Sequence, residues 1–316
     1  MKTRNKLLTT LTLASGAAAS VSIINKTLSI FAVSKHLLED DDSLCFKWRL
    51  GNIHYTKHGK GKPLLLIHDL NPSFCGFEWR ALNSYLSESY TVYTIDLLGC
   101  GRSEKPNLTY TNYLYVQLIA DFIKSEIGHR TNVIASGTSS SIAIMACSNS
   151  PELFDQMLFI NPESVHSSGL YPGKNAKLYK LILDMPVIGT LIYNISCSRN
   201  TIKKDFLSKY FYNPFTVRSK YVDSFYEAAH LGKSPKSVYA SVKCSYTRCN
   251  ISTALKKIDN SIYLICGDSF PFSQELIEEY EACHPAIEAY IIHISRALPH
   301  MENPIEVYKL IQTVFS

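Results

Sequence analysis

From residue 62 onward the chain alternates between short unbroken aliphatic runs and longer stretches with helical spacing. Leu64, Leu65, Leu66 and Ile67 follow one another without a polar interruption, as a strand buried on both faces requires. Residues 78–86 then show helical spacing, residues 91–95 predict a second strand, and residues 114–127 a second helix. The series resumes near the end, with strands over 261–266 and 289–294 and helices over 274–283 and 305–314. Strand, helix, strand in repetition predicts a mostly parallel sheet with helices on both faces. Ahead of it, residues 46–49 and 53–56 alternate around Gly51-Asn52 and predict a hairpin.

Residues 131–162 organise the rest. Residues 133–136 read as a buried strand, 137–141 as a Gly/Ser-rich turn, 142–149 as a helix opening and 157–160 as the next buried strand. After Pro162 the alternation stops. Residues 163–257 are rich in Tyr and Phe, predict short helices, and carry Lys and Arg over acids at about three to one. Such a surplus reads first as a solvated face, and otherwise as a face held against anionic lipid.

Several spaced motifs resemble the α/β-hydrolase family, of the capped kind, across residues 46–316. Asp96-Leu97-Leu98-Gly99-Cys100-Gly101-Arg102-Ser103 is similar to that family's Asp-x-x-Gly-x-Gly-x-Ser turn. The strand–turn–helix of residues 133–149, followed by Pro151-Glu152 and another strand, resembles its nucleophile elbow. The resemblance implies an α/β fold with a mostly parallel sheet. Its core would be residues 46–162 and 258–316, with residues 163–257 as a helical cap roofing a pocket.

The resemblance also fixes where a Ser-acid-His triad would stand, and this chain lacks all of it. With Ile142-Ala143 and Pro151-Glu152 as landmarks, Gly137 takes the nucleophile's place. Counting from Gly267 puts Phe270 on the acid, and Pro299, Glu302 and Pro304 put Ala297 on the histidine. A rival register makes Ser139 the nucleophile but displaces both landmarks by two residues. Substitutes on that reading are Ser139 (before Ser136, Ser140 and Ser141), His300 as base and Glu163 or Asp268 as acid. Backbone amides near Leu70 and at Thr138 could form an oxyanion hole. The family's His-Gly there is His68-Asp69 in this chain, and a carboxylate at Asp69 would oppose an oxyanion if it pointed inward. The expected pocket wall is therefore Asp69, Leu70, Gly137, Thr138, Phe270 and Ala297.

Composition adds bounds. The 316 residues, 46% hydrophobic and 19% charged, suffice for one large domain, and a net charge of +5 does not argue for nucleic acid. The nine cysteines show no ligand spacing and read as buried free thiols, so no metal and no cofactor are expected. Residues 1–38 stand apart: Lys2, Arg4 and Lys6 precede an uncharged stretch over 7–24, a further apolar run follows over 27–33, and 39–42 is an acidic linker. The segment reads as a single membrane-anchoring helix, with a cleaved secretory signal, a transit peptide or a helix packed on the body as alternatives.

The expected function is a membrane-associated family member without the triad's chemistry, binding an apolar small molecule between sheet and cap, or a protein partner. The alternatives are a hydrolase of esters, amides or related acyl compounds using Ser139, and a scaffolding protein at the membrane.

Overall fold

The aliphatic runs pair into one sheet because each, buried on both faces, must satisfy its backbone groups against neighbouring strands. A computed structural model describes residues 2–40 and 42–315, with side chains described from residue 16 onward apart from residues 17, 41 and 316. Its strands are β1 (Ser43–Trp48), β2 (Gly51–His58), β3 (Lys62–Ile67), β4 (Tyr90–Ile95), β5 (Thr131–Ser136), β6 (Phe154–Ile160), β7 (Ile262–Gly267) and β8 (Glu288–Ile292). They form an eight-stranded sheet in the order β1-β2-β4-β3-β5-β6-β7-β8. The β1–β2 hairpin and the β2–β4 pair are antiparallel, and the pairs from β4 to β8 are parallel.

Helix α1 (Lys2–Val33) precedes the sheet; α2 (Arg80–Leu86), α3 (Asn112–Phe122) and α4 (Ser139–Asn149) link the first parallel strands. Between β6 and β7 the chain leaves the sheet for α5 (Val165–Ser168), α6 (Ala176–Asp184), α7 (Ile188–Ser196), α8 (Arg199–Asp205), α9 (Ser219–His230), α10 (Lys236–Lys243) and α11 (Ser252–Leu255). It closes with α12 (Ser273–Cys283), α13 (Pro299–Glu302) and α14 (Pro304–Val314).

Side-chain alternation along a strand divides the core. Leu65, Ile67, Val133 and Ala135 face one cluster with α3 and α4, while Leu64, Leu66 and Ile134 face another with Trp79, Leu82, Val307 and Ile311. The cap has its own core, in which Phe74 and Phe77 from the loop after β3 meet Phe206, Phe211 and Phe225. Phe74 and Phe206 both meet Phe225 edge-on, at 4.8 and 4.9 Å between ring centres.

Topology decides where a site can form. From β3 the chain crosses outward to β4, then returns past β3 to β5. The loops leaving the carboxyl ends of adjacent β3 and β5 therefore run in opposite directions and leave a crevice between them. Ile67 pairs with Ala135 across that boundary, so Asp69 and Gly137, each two residues further on, emerge together.

The N-terminal segment, expected to anchor the chain, is described only in part. Among the described residues no single helix is long and apolar enough to cross a membrane, and the apolar portion of α1 found there is Ala18–Val33. Much of the expected span, residues 7–24, has side chains outside the described residues. The second half of α1 lies on the cap. Asn25 Nδ2 donates to the Val187 carbonyl (3.4 Å), and Asn194 Nδ2 donates to Asn25 Oδ1 (2.8 Å). Beyond α1, the Leu37 and Leu38 amides donate to the buried carboxylate of Glu227 (2.9 and 3.2 Å), and Arg102 donates to the Leu38 carbonyl (2.8 Å).

Candidate functional site

The elbow is a genuine sharp turn. β5 ends at Ser136, Gly137 adopts φ +54°, and α4 begins two residues later. A left-handed residue here carries the chain from strand to helix, which glycine does without strain. A Cβ on Gly137 would lie 2.4 Å from Asp69 Oδ1 and 2.5 Å from its Cγ. The side chain of Asp69 thus fills the volume in which a nucleophile at residue 137 would stand.

Asp69 also takes the amide that an oxyanion would need. Its Oδ1 accepts from the Thr138 N–H (2.8 Å) and from the Thr138 hydroxyl (2.7 Å). Burial raises the Asp69 carboxyl above its ordinary range, the Thr138 bonds work against this, and nearby Glu78 adds to it. The expected backbone pair at Leu70 and Thr138 is corrected accordingly: Thr138 is committed to Asp69. The Leu70 side chain sits in the core below the sheet's crevice and is absent from the cavity wall.

Gly137, Phe270 and Ala297 meet on the wall of one cavity of about 950 Å3, together with Asp69 and Thr138. Asn161, which no motif or spacing singles out, brings the loops together. Its Nδ2 donates to the carbonyls of Arg296 (2.8 Å) and Ala297 (2.9 Å), and its Oδ1 accepts from the Gly267 N–H (3.1 Å). Its φ of +41° is the only hint, and that is visible only in the fold. Phe74, Tyr210, Phe272, Leu276 and Leu298 supply apolar wall. The wall is less apolar than expected, because Lys209, Arg296 and a Glu163–Arg248 pair at 3.1 Å also face the cavity. Burial raises the Glu163 carboxyl, against the pull of Arg248.

The substitute triad is not assembled. Ser139 is fully buried and donates to the His68 carbonyl at 2.6 Å. His300 is fully buried and stacked on Trp79 at 4.4 Å, with Nε2 3.7 Å from Glu78 Oε1. Ser136, not Ser139, reaches that carboxylate, donating to Glu78 Oε1 at 2.5 Å. Ser140 donates to the Ala135 carbonyl, and Ser141 is buried. Asp268 caps the loop after β8, accepting from the Ile294 and Ser295 amides at 3.0 and 3.3 Å. Although burial opposes it, those bonds hold the Asp268 carboxyl below its usual range. Among the described residues no serine hydroxyl is hydrogen-bonded to a histidine ring, and no group of three or more His, Cys, Asp or Glu is placed to hold a metal ion.

The Asp96 turn behaves as scaffold. Asp96 Oδ1 accepts from the Gly76 N–H (2.7 Å), and Oδ2 from the Arg102 N–H (2.8 Å) with His54 Nδ1 at 3.4 Å. Burial works to raise this carboxyl, but the His54 contact and the Arg102 charge hold it far below the usual range. Ser103 closes the turn, accepting from the His54 N–H (2.8 Å) and donating to the Asp96 carbonyl (2.5 Å).

Comparison with known proteins agrees with this architecture. The profile of the alpha/beta hydrolase family matches residues 64–309. The chain belongs to that family. A proline iminopeptidase of Heyndrickxia coagulans is 22% identical over 274 residues, 81% of this chain and 91% of that one. A cis-3-alkyl-4-alkyloxetan-2-one decarboxylase of Shewanella oneidensis is 26% identical over 191 residues, 57% of each chain. With an uncharacterized protein of Mycobacterium tuberculosis the match is 25% identical over 107 residues, and spans only 31% of that relative's length. Among solved structures, the carboxylesterase CesB of Bacillus subtilis superposes with a TM-score of 0.67 at 14% identity, covering 93% of this chain and 98% of that one. A bacterial membrane phospholipase A gives 0.68 at 18% identity, covering 99% and 98%.

Proposed function

We propose that this chain is an α/β-hydrolase-family protein whose cap pocket binds a small amphipathic molecule without Ser-His-acid chemistry. The observation that supports this is Asp69, whose carboxyl fills the nucleophile's volume and occupies the Thr138 amide. A tetrahedral oxyanion would meet a carboxylate where it needs donors. The ligand would offer an apolar body to Phe74, Phe270 and Leu298. Its polar head would face the part of the wall that carries Lys209, Arg296 and the Glu163–Arg248 pair. A solely structural role accounts less well for an open cavity at the strand ends.

The test is restoration. The variant Asp69→Gly/Gly137→Ser/Phe270→Asp/Ala297→His should hydrolyse nitrophenyl acetate on the order of tenfold or more above the natural chain, while single changes yield almost nothing because the triad acts as a unit. The natural chain should resist a fluorophosphonate label.

A second reading is hydrolysis of an acyl or related compound, and the comparisons favour it, since the relatives named for an activity are enzymes. On this reading the working group is Asp69 itself, which stands in the nucleophile's place. An ester-hydrolysing activity of the natural chain that disappears in Asp69→Asn would establish it. Loss in Ser139→Ala instead would point to the rival elbow register.

A further inference from the structure

We propose that α1, α6 and α7 together form a docking face that lays the cap on an anionic bilayer surface, in the plane of the interface and without spanning it. Three observations carry this. First, α6 and α7 are amphipathic and present their apolar sides outward. Leu178 and Leu181 lie one turn apart on α6, Ile188 and Ile195 two turns apart on α7, and all four are exposed. The two helices together reach the length and apolar composition of a membrane span, yet they are bent by 94°. A rod cannot be made of them, but a surface can. Second, α1 extends the same face. It crosses α7 at Asn25, which is tied to Val187 and Asn194, the immediate neighbours of Ile188 and Ile195. Around that crossing α1 shows Leu28 and Phe31, both exposed.

Third, charge selects the occupant. Lys26, Lys174 and Lys177 are exposed on or beside these helices, and none is in an ion pair among the described residues. Asp184, the acid at the end of α6, is already paired with Lys180 at 2.5 Å. A second copy meeting this face through a two-fold axis would bring like charges together. An anionic lipid surface accepts both the apolar stripe and the lysines.

Vesicle flotation of the full chain tests this. It should float with vesicles of phosphatidylcholine mixed with phosphatidylglycerol, weakly with phosphatidylcholine alone, and less as salt is raised. The variant Leu178→Glu/Leu181→Glu/Ile188→Glu leaves α1 intact and changes only exposed positions. It should lose about tenfold or more in bound fraction while keeping its thermal unfolding midpoint. Unchanged flotation of this variant would overturn the proposal by showing that α1 alone carries binding. Failure of the natural chain to float would overturn it too. So would a lipid-independent dimer, by size-exclusion with light scattering, that the same variant dissolves.

Discussion

Asp69 and Asp96 stand at nearly the same height above neighbouring strands, and they have opposite fates. β3 and β4 pair in register, Ile67 beside Ile95, and each strand runs directly into its aspartate loop. Asp96 meets two backbone amides, the Arg102 guanidinium and His54, and is held low on the acid scale. Asp69 meets one amide and one hydroxyl, both from Thr138, with Glu78 as an unhelpful neighbour, and is pushed upward. The first carboxylate is compensated on all sides and holds the fold. The second is under-compensated beside an open cavity. A fold tolerates such a group when the rest of its stability comes from elsewhere, so Asp69 belongs to the cavity wall more than to the scaffold.

The sharpest way to break this comparison is to remove each charge. Asp96→Asn should destabilise by about 3–5 kcal/mol, because it strands Arg102 and the turn's amides. Asp69→Asn should stay within about 1 kcal/mol of the natural chain or gain stability, since the amide oxygen still accepts from Thr138. Urea unfolding of both variants measures this, and equal losses would erase the distinction.

Next in size is the collision at the elbow. Gly137→Ser alone should cost about 2–3 kcal/mol, from a side chain at positive φ thrust against Asp69. Adding Asp69→Gly should restore about 1–2 kcal/mol of that, as a coupling term in a double-mutant cycle. Additivity of the two changes would mean that Asp69 does not hold the vacated volume.

The smallest effect is on pH dependence. The folded Asp69 carboxyl titrates above its unfolded value of 3.8, so in that window the native state binds more protons and stability falls as pH rises. Relative to Asp69→Asn, the natural chain should therefore gain stability as pH drops from neutral toward 4. Asp96 has the reverse sign. Its contribution is fully present above 3.8 and is lost only at more acid pH, so the gap to Asp96→Asn should hold steady over the same range. Thermal unfolding of the three proteins at several pH values separates the two.

The sheet was legible because its aliphatic runs have no other stable arrangement. That Gly137, Phe270 and Ala297 would share one wall was legible because landmark residues with fixed spacing flank each one. Asp69 was visible as a departure, but not its direction: whether a loop carboxylate turns inward depends on the crevice between β3 and β5, which only the assembled topology creates. Ser139 and His300 illustrate the opposite failure. Their residue types suit catalysis, and burial in separate hydrogen-bonding surroundings removes them from it. The docking of α1 stood only among the alternatives because Asn25, the polar break in the apolar stretch, reads in isolation as an interruption. In the fold it is the residue that grips α7.

The tether beyond α1 has a mechanical consequence. The cap is joined to the sheet where the chain leaves β6 and where it returns to β7, and two joints leave an axis about which a lid can turn. Leu37 and Leu38 add a fastening that is not part of either joint, since their amides hold Glu227 of α9 while the Leu38 carbonyl is held by Arg102 of the Asp96 turn. The Tyr210 carbonyl held by the Ala297 amide, the Ser208 carbonyl held by Arg296, and Phe74 and Phe77 in the cap's core add further supports that oppose such a swing. Traffic into the cavity must therefore pass by local side-chain movement at its mouth, with the roof itself standing still.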